Sequence, residues 1–317
     1  MGLRSIYKWL ALSSPRMEVA MRKFYWKNVA LLSRFKPYGS GIENVQRNSS
    51  PMDFNEVITF LKENGVREGS LLVVHSSLDM LSGTGLKPQE IIAKLRELIG
   101  DTGTLAMPVI RNFKDNPQGI DYLRVNTDGL TCEYDVKRTP IKSGLLPFTL
   151  MRMKDSVISH FPFNPLVAIG PLAKQMMEHN LDGDYPSAHG RMSCWKFCMD
   201  HDAVVVGLGV DLEHHNTMAH VMEEAYDGWR WSNEEWYRKR TFDIIDEERN
   251  KKRYVIYERR PEWGTMRIAE LNFANGLYKA GIIKRKYLWE VPVCVERAQE
   301  LRDYLQKRNK NGYPYYK

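Results

Sequence analysis

Three short apolar runs constrain this chain more than any other feature: Ser70–His75 (SLLVVH), Gly103–Pro108 (GTLAMP) and Ala203–Leu208 (AVVVGL). None shows the apolar–polar alternation of a half-solvated strand, and all are too short for a buried helix. They read as strands covered on both faces, as in a mainly parallel sheet. Between the first two lies Pro88–Ile99, with Ile91, Ile92, Leu95 and Leu98 at helical spacing and Gly100 as its stop. Strand, helix, strand in that order predicts a right-handed crossover and an α/β layered fold on a mixed or parallel central sheet. Val167–Ile169 adds a further buried strand. Met52–Asn64, Leu145–Met153, Thr217–Ala225 and Val295–Lys307 have helical patterns, with Asp53 as the N-cap of the first. Thr241–Ile245 and Arg253–Glu258 form a hairpin around the charged turn 246–252. Residues 111–140 are polar and irregular, and read as a long surface loop.

Composition matters where it is uneven. The 317 residues are 43% hydrophobic, enough for a sizeable core, and no apolar run approaches the roughly 20 residues of a membrane span. Residues 1–47 hold nine Lys/Arg and two acids, which is the whole net charge of +7; the remainder is balanced. Within that segment Met17, Ala20, Met21, Phe24, Tyr25, Val29 and Leu32 recur at helical spacing among basic residues. A basic amphipathic helix of this kind either lies on an anionic membrane surface or packs on the body with its basic side in water. No basic groove in the body matches it, so nucleic acid is not an expected partner. Residues 36–51, rich in Gly, Ser, Pro and Asn, read as a linker. The expected organisation is therefore a helical extension with linker over 1–50 and one catalytic domain over 51–317. Four cysteines without a CxxC pair point to a reducing cytosol, with Cys194 and Cys198 as buried thiols on one helix face. The expected location is cytoplasmic, with the extension against the inner face of the membrane.

Three groups of residues carry chemistry. His75-Ser76-Ser77 follows a strand directly, at the sheet end where α/β proteins bind ligands. Backbone N–H groups, two hydroxyls and the loop 82–85 there suit a phosphate or an amide-bearing cofactor arm, or they simply close a serine turn. Thr217, His220 and Glu223 recur every three residues, which puts them on one side of a helix. A histidine is the natural general base near neutral pH. A carboxylate on its other ring nitrogen fixes the tautomer, and a hydroxyl one turn away can stabilise an oxyanion. His214, His215 and His220 with nearby acids form a weaker metal candidate, because adjacent histidines in extended chain point to opposite sides. No metal is expected.

These stretches together resemble the aminoglycoside 3-N-acetyltransferase family. Val73–Ser77 is similar to its strand-end HSS, Gly103–Pro108 to its GTLxMP strand, and Arg138–Pro140 with Gly144-Leu145 to its TPS–MG–L segment. His160–Pro162 through Ala168–Pro171 resembles its HP–S–AxGP stretch, Gly190–Ser193 its G–SP loop, and Thr217–Glu223 its TxxHxxE. The resemblance runs in order from about Phe54 to the end of the chain.

The resemblance implies transfer of an acyl group from acetyl-CoA to an amine by direct attack, with no covalent acyl-enzyme and no metal. His220 would be the base, Glu223 would orient it or hold the substrate ammonium, and Thr217 would stabilise the oxyanion. Glu224 is one residue out of phase and remains an alternative to Glu223. His75, Ser76, Ser77, Thr104, Met107 and Ser193 would line the CoA site. Three departures fall around the acceptor pocket: His214 stands where the family often has Asp, Val109-Ile110-Arg111 follows the GTLxMP strand, and Cys194 replaces the proline after Ser193. Together with the basic extension they point to an amino sugar on a nucleotide or lipid carrier in surface-polysaccharide synthesis. Acetylation of aminoglycoside antibiotics is the alternative, because a polycationic acceptor needs an acidic pocket that the sequence does not reveal. A metal-dependent amidohydrolase and a non-catalytic membrane-associated scaffold are the remaining rivals. A homodimer is a further expectation.

Overall fold

The apolar runs become the middle of a seven-stranded sheet. In the computed structural model the described residues are parts of 17–32, then 51–309 apart from 118–120, 123–124, 213–215, 229–231 and 262–273. The strands are β1 (Leu71–Ser76), β2 (Thr104–Pro108), β4 (Val157–Ile158), β5 (Leu166–Ile169), β6 (Val204–Leu208), β9 (Ile283–Leu288) and β10 (Val291–Arg297). Their order is β4-β5-β2-β1-β6-β10-β9. β1 pairs parallel with β2 and β6, while β5, β4, β10 and β9 are antiparallel to their neighbours. The expected mixed α/β sheet is present, with the parallel part at its centre. A second sheet of three strands holds β3 (Thr131–Asp135), parallel to β7 (Tyr237–Ile245), which pairs antiparallel with β8 (Lys251–Arg259).

Period-two alternation divides the apolar residues of each central strand between two cores. Leu72, Val74, Leu105, Met107, Val204 and Val206 face helices Phe54–Glu63, Pro88–Ile99 and Leu145–Arg152, together with Phe242 and Ile256 of the small sheet. Leu71, Val73, Ala106 and Val205 face the other way, onto Ala173–Met177, Cys194–Asp200 and Ala298–Asn309. Thr217–Glu224 packs on this second face. All four cysteines are buried free thiols.

Several expectations are corrected. Residues 111–140 are not wholly irregular, because Thr131–Asp135 (TCEYD) pairs with β7 in five-residue register. Val295–Arg297 belong to β10, and the last helix starts only at Ala298. Both hairpin strands are longer than their apolar cores, running over Tyr237–Ile245 and Lys251–Arg259. Thr217–Ala225 is not one α-helix: Thr217–His220 is a 3₁₀ turn that continues as an α-turn over Val221–Glu224. Asp53 does cap its helix, its carboxylate accepting from the Asn55 N–H at 2.8 Å. In the basic extension the described residues are almost all helical, with Met17, Phe24 and Leu31 exposed. The linker over 36–50 lies outside the described residues, as do His214 and His215. No described helix is long and apolar enough to cross a membrane.

Candidate active site

β1 and β6 run parallel, so their carboxyl ends meet. Ser77 N–H donates to the Leu208 carbonyl at 2.9 Å. Gly209 follows with φ of +69°, and a Cβ there would lie 2.6 Å from Met80 Cβ. Only glycine lets the two strand-end loops approach this closely. Asn216 caps the turn Thr217–His220, its carboxamide oxygen accepting from Ala219 N–H at 3.1 Å. Its amide nitrogen donates to Glu296 Oε2 on β10 at 2.7 Å. In a 3₁₀ turn residues three apart eclipse, so Thr217 and His220 share a face, and Glu223 follows one turn on.

His220 Nδ1 lies 2.9 Å from Glu223 Oε2. The Arg259 guanidinium lies against the same ring nitrogen, its Nη1 2.8 Å from Nδ1. Arg259, the last residue of β8, is the third member of the cluster. Its Nη1 donates to Glu223 Oε2 at 2.8 Å, and its Nη2 lies 3.2 Å from His220 Nε2. The preceding residue, Glu258, points to the other face of β8 and binds buried Arg240 and Arg238 at 2.9 and 2.7 Å. Strand alternation therefore sends Arg259 to the His220 side of β8. Burial and the Arg259 charge outweigh Glu223 and hold His220 below the ordinary imidazole value. Burial pushes the Glu223 carboxyl up, but His220 and Arg259 together bring it below the ordinary value, so it is ionised at neutral pH.

A second pair lies beside the first. His189 Nδ1 is 3.1 Å from Glu224 Oε1, and the two imidazole rings are 5.2 Å apart. Asn164 Nδ2 donates to His189 Nε2 at 3.2 Å. Burial raises Glu224, but His189 overrides it and holds the carboxyl at about 2. The loop carrying His189 is tied to β8 by Tyr257 N–H donating to the Pro186 carbonyl at 2.9 Å. Glu223 thus faces His220 and Glu224 faces His189.

The residues expected around a donor site are scattered. His75 is buried on the His220 side of the sheet, stacked on Trp195 at 5.9 Å, and Trp195 lies 6.1 Å from His189. Ser76 and Ser77 are half-buried at the strand end. Met107 is fully buried in the core behind them. Thr104 pairs with Leu71 at the opposite end of β1, under Gly170, with Oγ1 accepting from Leu172 N–H at 3.0 Å. Ser193 caps Cys194–Asp200, accepting from Lys196 N–H at 3.1 Å. Thr217 is half-buried at the start of the catalytic turn.

A cleft of about 650 Å³ opens over the glutamates. Asp182, Asp184, Glu223, Glu224 and Asp227 line it, and Tyr185, Tyr226, Trp236 and Tyr237 give it flat walls. Among its described lining residues the one Arg or Lys is Arg191, which is paired with Asp227. No group of three or more potential metal ligands occurs among the described residues.

Comparison with known proteins agrees with this architecture. Aminoglycoside N(3)-acetyltransferase IX of Micromonospora chalcea is 24% identical over 181 residues, which is 56% of this chain and 63% of that protein. The AAC-IIIb binary structure with CoASH superposes with a TM-score of 0.64 at 18% identity, covering 82% of this chain and 98% of that one. AAC-VIa bound to sisomicin superposes with a TM-score of 0.62 at 17% identity, covering 82% and 99%. At these identities the structural likeness establishes the fold. The family model described as aminoglycoside 3-N-acetyltransferase matches residues 73–309, about three quarters of the sequence, and the chain belongs to that family.

Proposed function

We propose that this protein is an acetyl-CoA-dependent N-acetyltransferase whose acceptor is a polycationic amino sugar of the aminoglycoside type. The observation that carries this reading is the acidic cleft against His220 and Glu223. The acceptor expected from the sequence, an amino sugar on a nucleotide or lipid carrier, would bring phosphate into a cleft lined by five carboxylates. A polyamine is matched to it in charge, and the aromatic walls suit sugar rings.

The chemistry follows from the pair. An ammonium has no lone pair and cannot attack a thioester. His220 Nε2 takes its proton, while Glu223 holds the proton on Nδ1 and balances the imidazolium that forms. The freed amine nitrogen bonds to the acetyl carbonyl carbon. The Thr217 hydroxyl, on the same face as His220, supplies a hydrogen bond to the oxyanion. Collapse breaks the carbon–sulfur bond, and the extra proton on the newly bonded nitrogen passes to the departing CoA thiolate, leaving the neutral amide and CoA thiol. Ser76 and Ser77, with partly open hydroxyls at the strand end, hold the donor. No protein nucleophile is required, and the buried Cys194 and Cys198 thiols are both pushed up by burial, Cys194 to about 12, which keeps them un-ionised.

The test is CoA release by the purified full chain with acetyl-CoA and a panel of amines. Turnover is expected with kanamycin-type acceptors and not with UDP-linked amino sugars. The reverse preference would restore the polysaccharide reading.

A further inference from the structure

Arg259 stands where the acceptor amine has to go. General-base catalysis requires the reacting nitrogen within about 2.6–3.2 Å of the base. With Glu223 beside Nδ1, the base atom in the proposed reaction is His220 Nε2, and the Arg259 guanidinium already lies against both ring nitrogens, its Nη2 3.2 Å from Nε2 and its Nη1 2.8 Å from Nδ1. The same guanidinium donates to Glu223 Oε2 at 2.8 Å. An incoming ammonium carries the same charge and needs the same two partners. The Arg259 side chain is only 17% exposed and its guanidinium lies 5.9 Å from the centre of the Trp236 ring, so it is seated rather than trailing in solvent.

An acceptor must therefore exchange with Arg259. For a single amine this is one cation for another at one carboxylate, with little gain. A polyamine differs, because its further ammonium groups reach Asp182, Asp184 and Asp227 along the cleft. Each solvent-facing pair of that kind adds about a few-fold in affinity, and several together shift the exchange toward the acceptor. We propose that Arg259 is a specificity-determining residue, a built-in stand-in for the acceptor ammonium that polyamino sugars displace from His220 and Glu223 and monoamines do not. The inference rests on the cleft being the acceptor site.

The experiment uses the full chain as wild type, Arg259→Gln and Arg259→Lys. Calorimetry with glucosamine, a monoamino sugar, and kanamycin, a polyamino one, reads the exchange without requiring turnover. Acetyl-transfer kinetics with the same pair read its effect on catalysis. In Arg259→Gln the Kd and KM for glucosamine should fall about tenfold or more, with a smaller change for kanamycin. Arg259→Lys should keep the wild-type discrimination. An unchanged ratio between the two sugars in Arg259→Gln overturns the proposal. So does a kcat that falls equally for both with KM unmoved, which would make Arg259 a support for the catalytic pair. Kanamycin that binds wild type without being acetylated would overturn the proposed reaction while leaving the exchange measurable. Neither sugar binding to any of the three proteins would overturn both.

Discussion

Two histidine–glutamate pairs lie side by side in this molecule, and they differ in what surrounds them. His189 and Glu224 have side chains 2% and 1% exposed, and both ring nitrogens of His189 have protein partners. His220 and Glu223 are 21% and 8% exposed, and both ring nitrogens of His220 lie against the Arg259 guanidinium. The same two residue types thus make a closed internal pair in one place and a partly open one in the other. What distinguishes them is that the His220 ring is partly open to solvent and faces a guanidinium, whereas His189 is closed in by Glu224 and Asn164.

The comparison is broken most severely by His220→Gln. Turnover should fall by about 10²–10⁴-fold while the thermal transition and acetyl-CoA affinity stay near wild type. If turnover survived, the open pair would not be the base. Ser76→Trp should come next: a large ring at the end of β1 should abolish acetyl-CoA binding in calorimetry without altering either pair, and retained binding would move the donor elsewhere. His189→Gln should act on stability first, lowering it by about 1–3 kcal/mol because Glu224 loses its buried partner, with the loss read by denaturant unfolding. A turnover loss as large as that of His220→Gln, in a protein of unchanged stability, would erase the distinction between the pairs.

The smallest effect concerns Glu296, which holds Asn216 beneath the catalytic turn. Burial, opposed only by the Asn216 hydrogen bond, raises its carboxyl to about 8. The unfolded chain gives up that proton near the ordinary value of 4.5. Between these values the folded state binds more protons than the unfolded one, so stability falls as pH rises through this window and levels off above it. Glu296→Gln should flatten this dependence in thermal melts taken across the window. A variant with the wild-type slope would show that another group sets it.

The centre of the sheet was legible because strands buried on both faces leave unbroken apolar runs. The periphery was not. β9 reads IKRKYL, with four exposed residues between buried ends, and carries no apolar signal to separate it from a loop. β10 was merged with the helix after it because Val295 and Ala298 fall in helical phase with Leu301. The TxxHxxE spacing put His220 and Glu223 on one face, and the structure places Glu223 2.9 Å from the His220 ring. His189 and Arg259 gave no such sign. One is a lone histidine in a loop and the other the end of a charged strand, and only the three-dimensional fold brings them to His220. The acidic cleft escaped for a related reason: overall charge balance says nothing about where carboxylates gather.

The insertion of β10 beside β6 also has a consequence for how the protein is made. Asn216, which positions the catalytic turn, has its buried partner Glu296 on a strand eighty residues further along the chain. A polypeptide leaving the ribosome will have exposed His220 and Glu223 long before that strand exists. Pairings across such sequence distances close late and slowly. The nascent protein therefore carries His220 and Glu223 without the frame that aligns them, and the proposed transferase activity should arise only after residue 297 has cleared the exit tunnel.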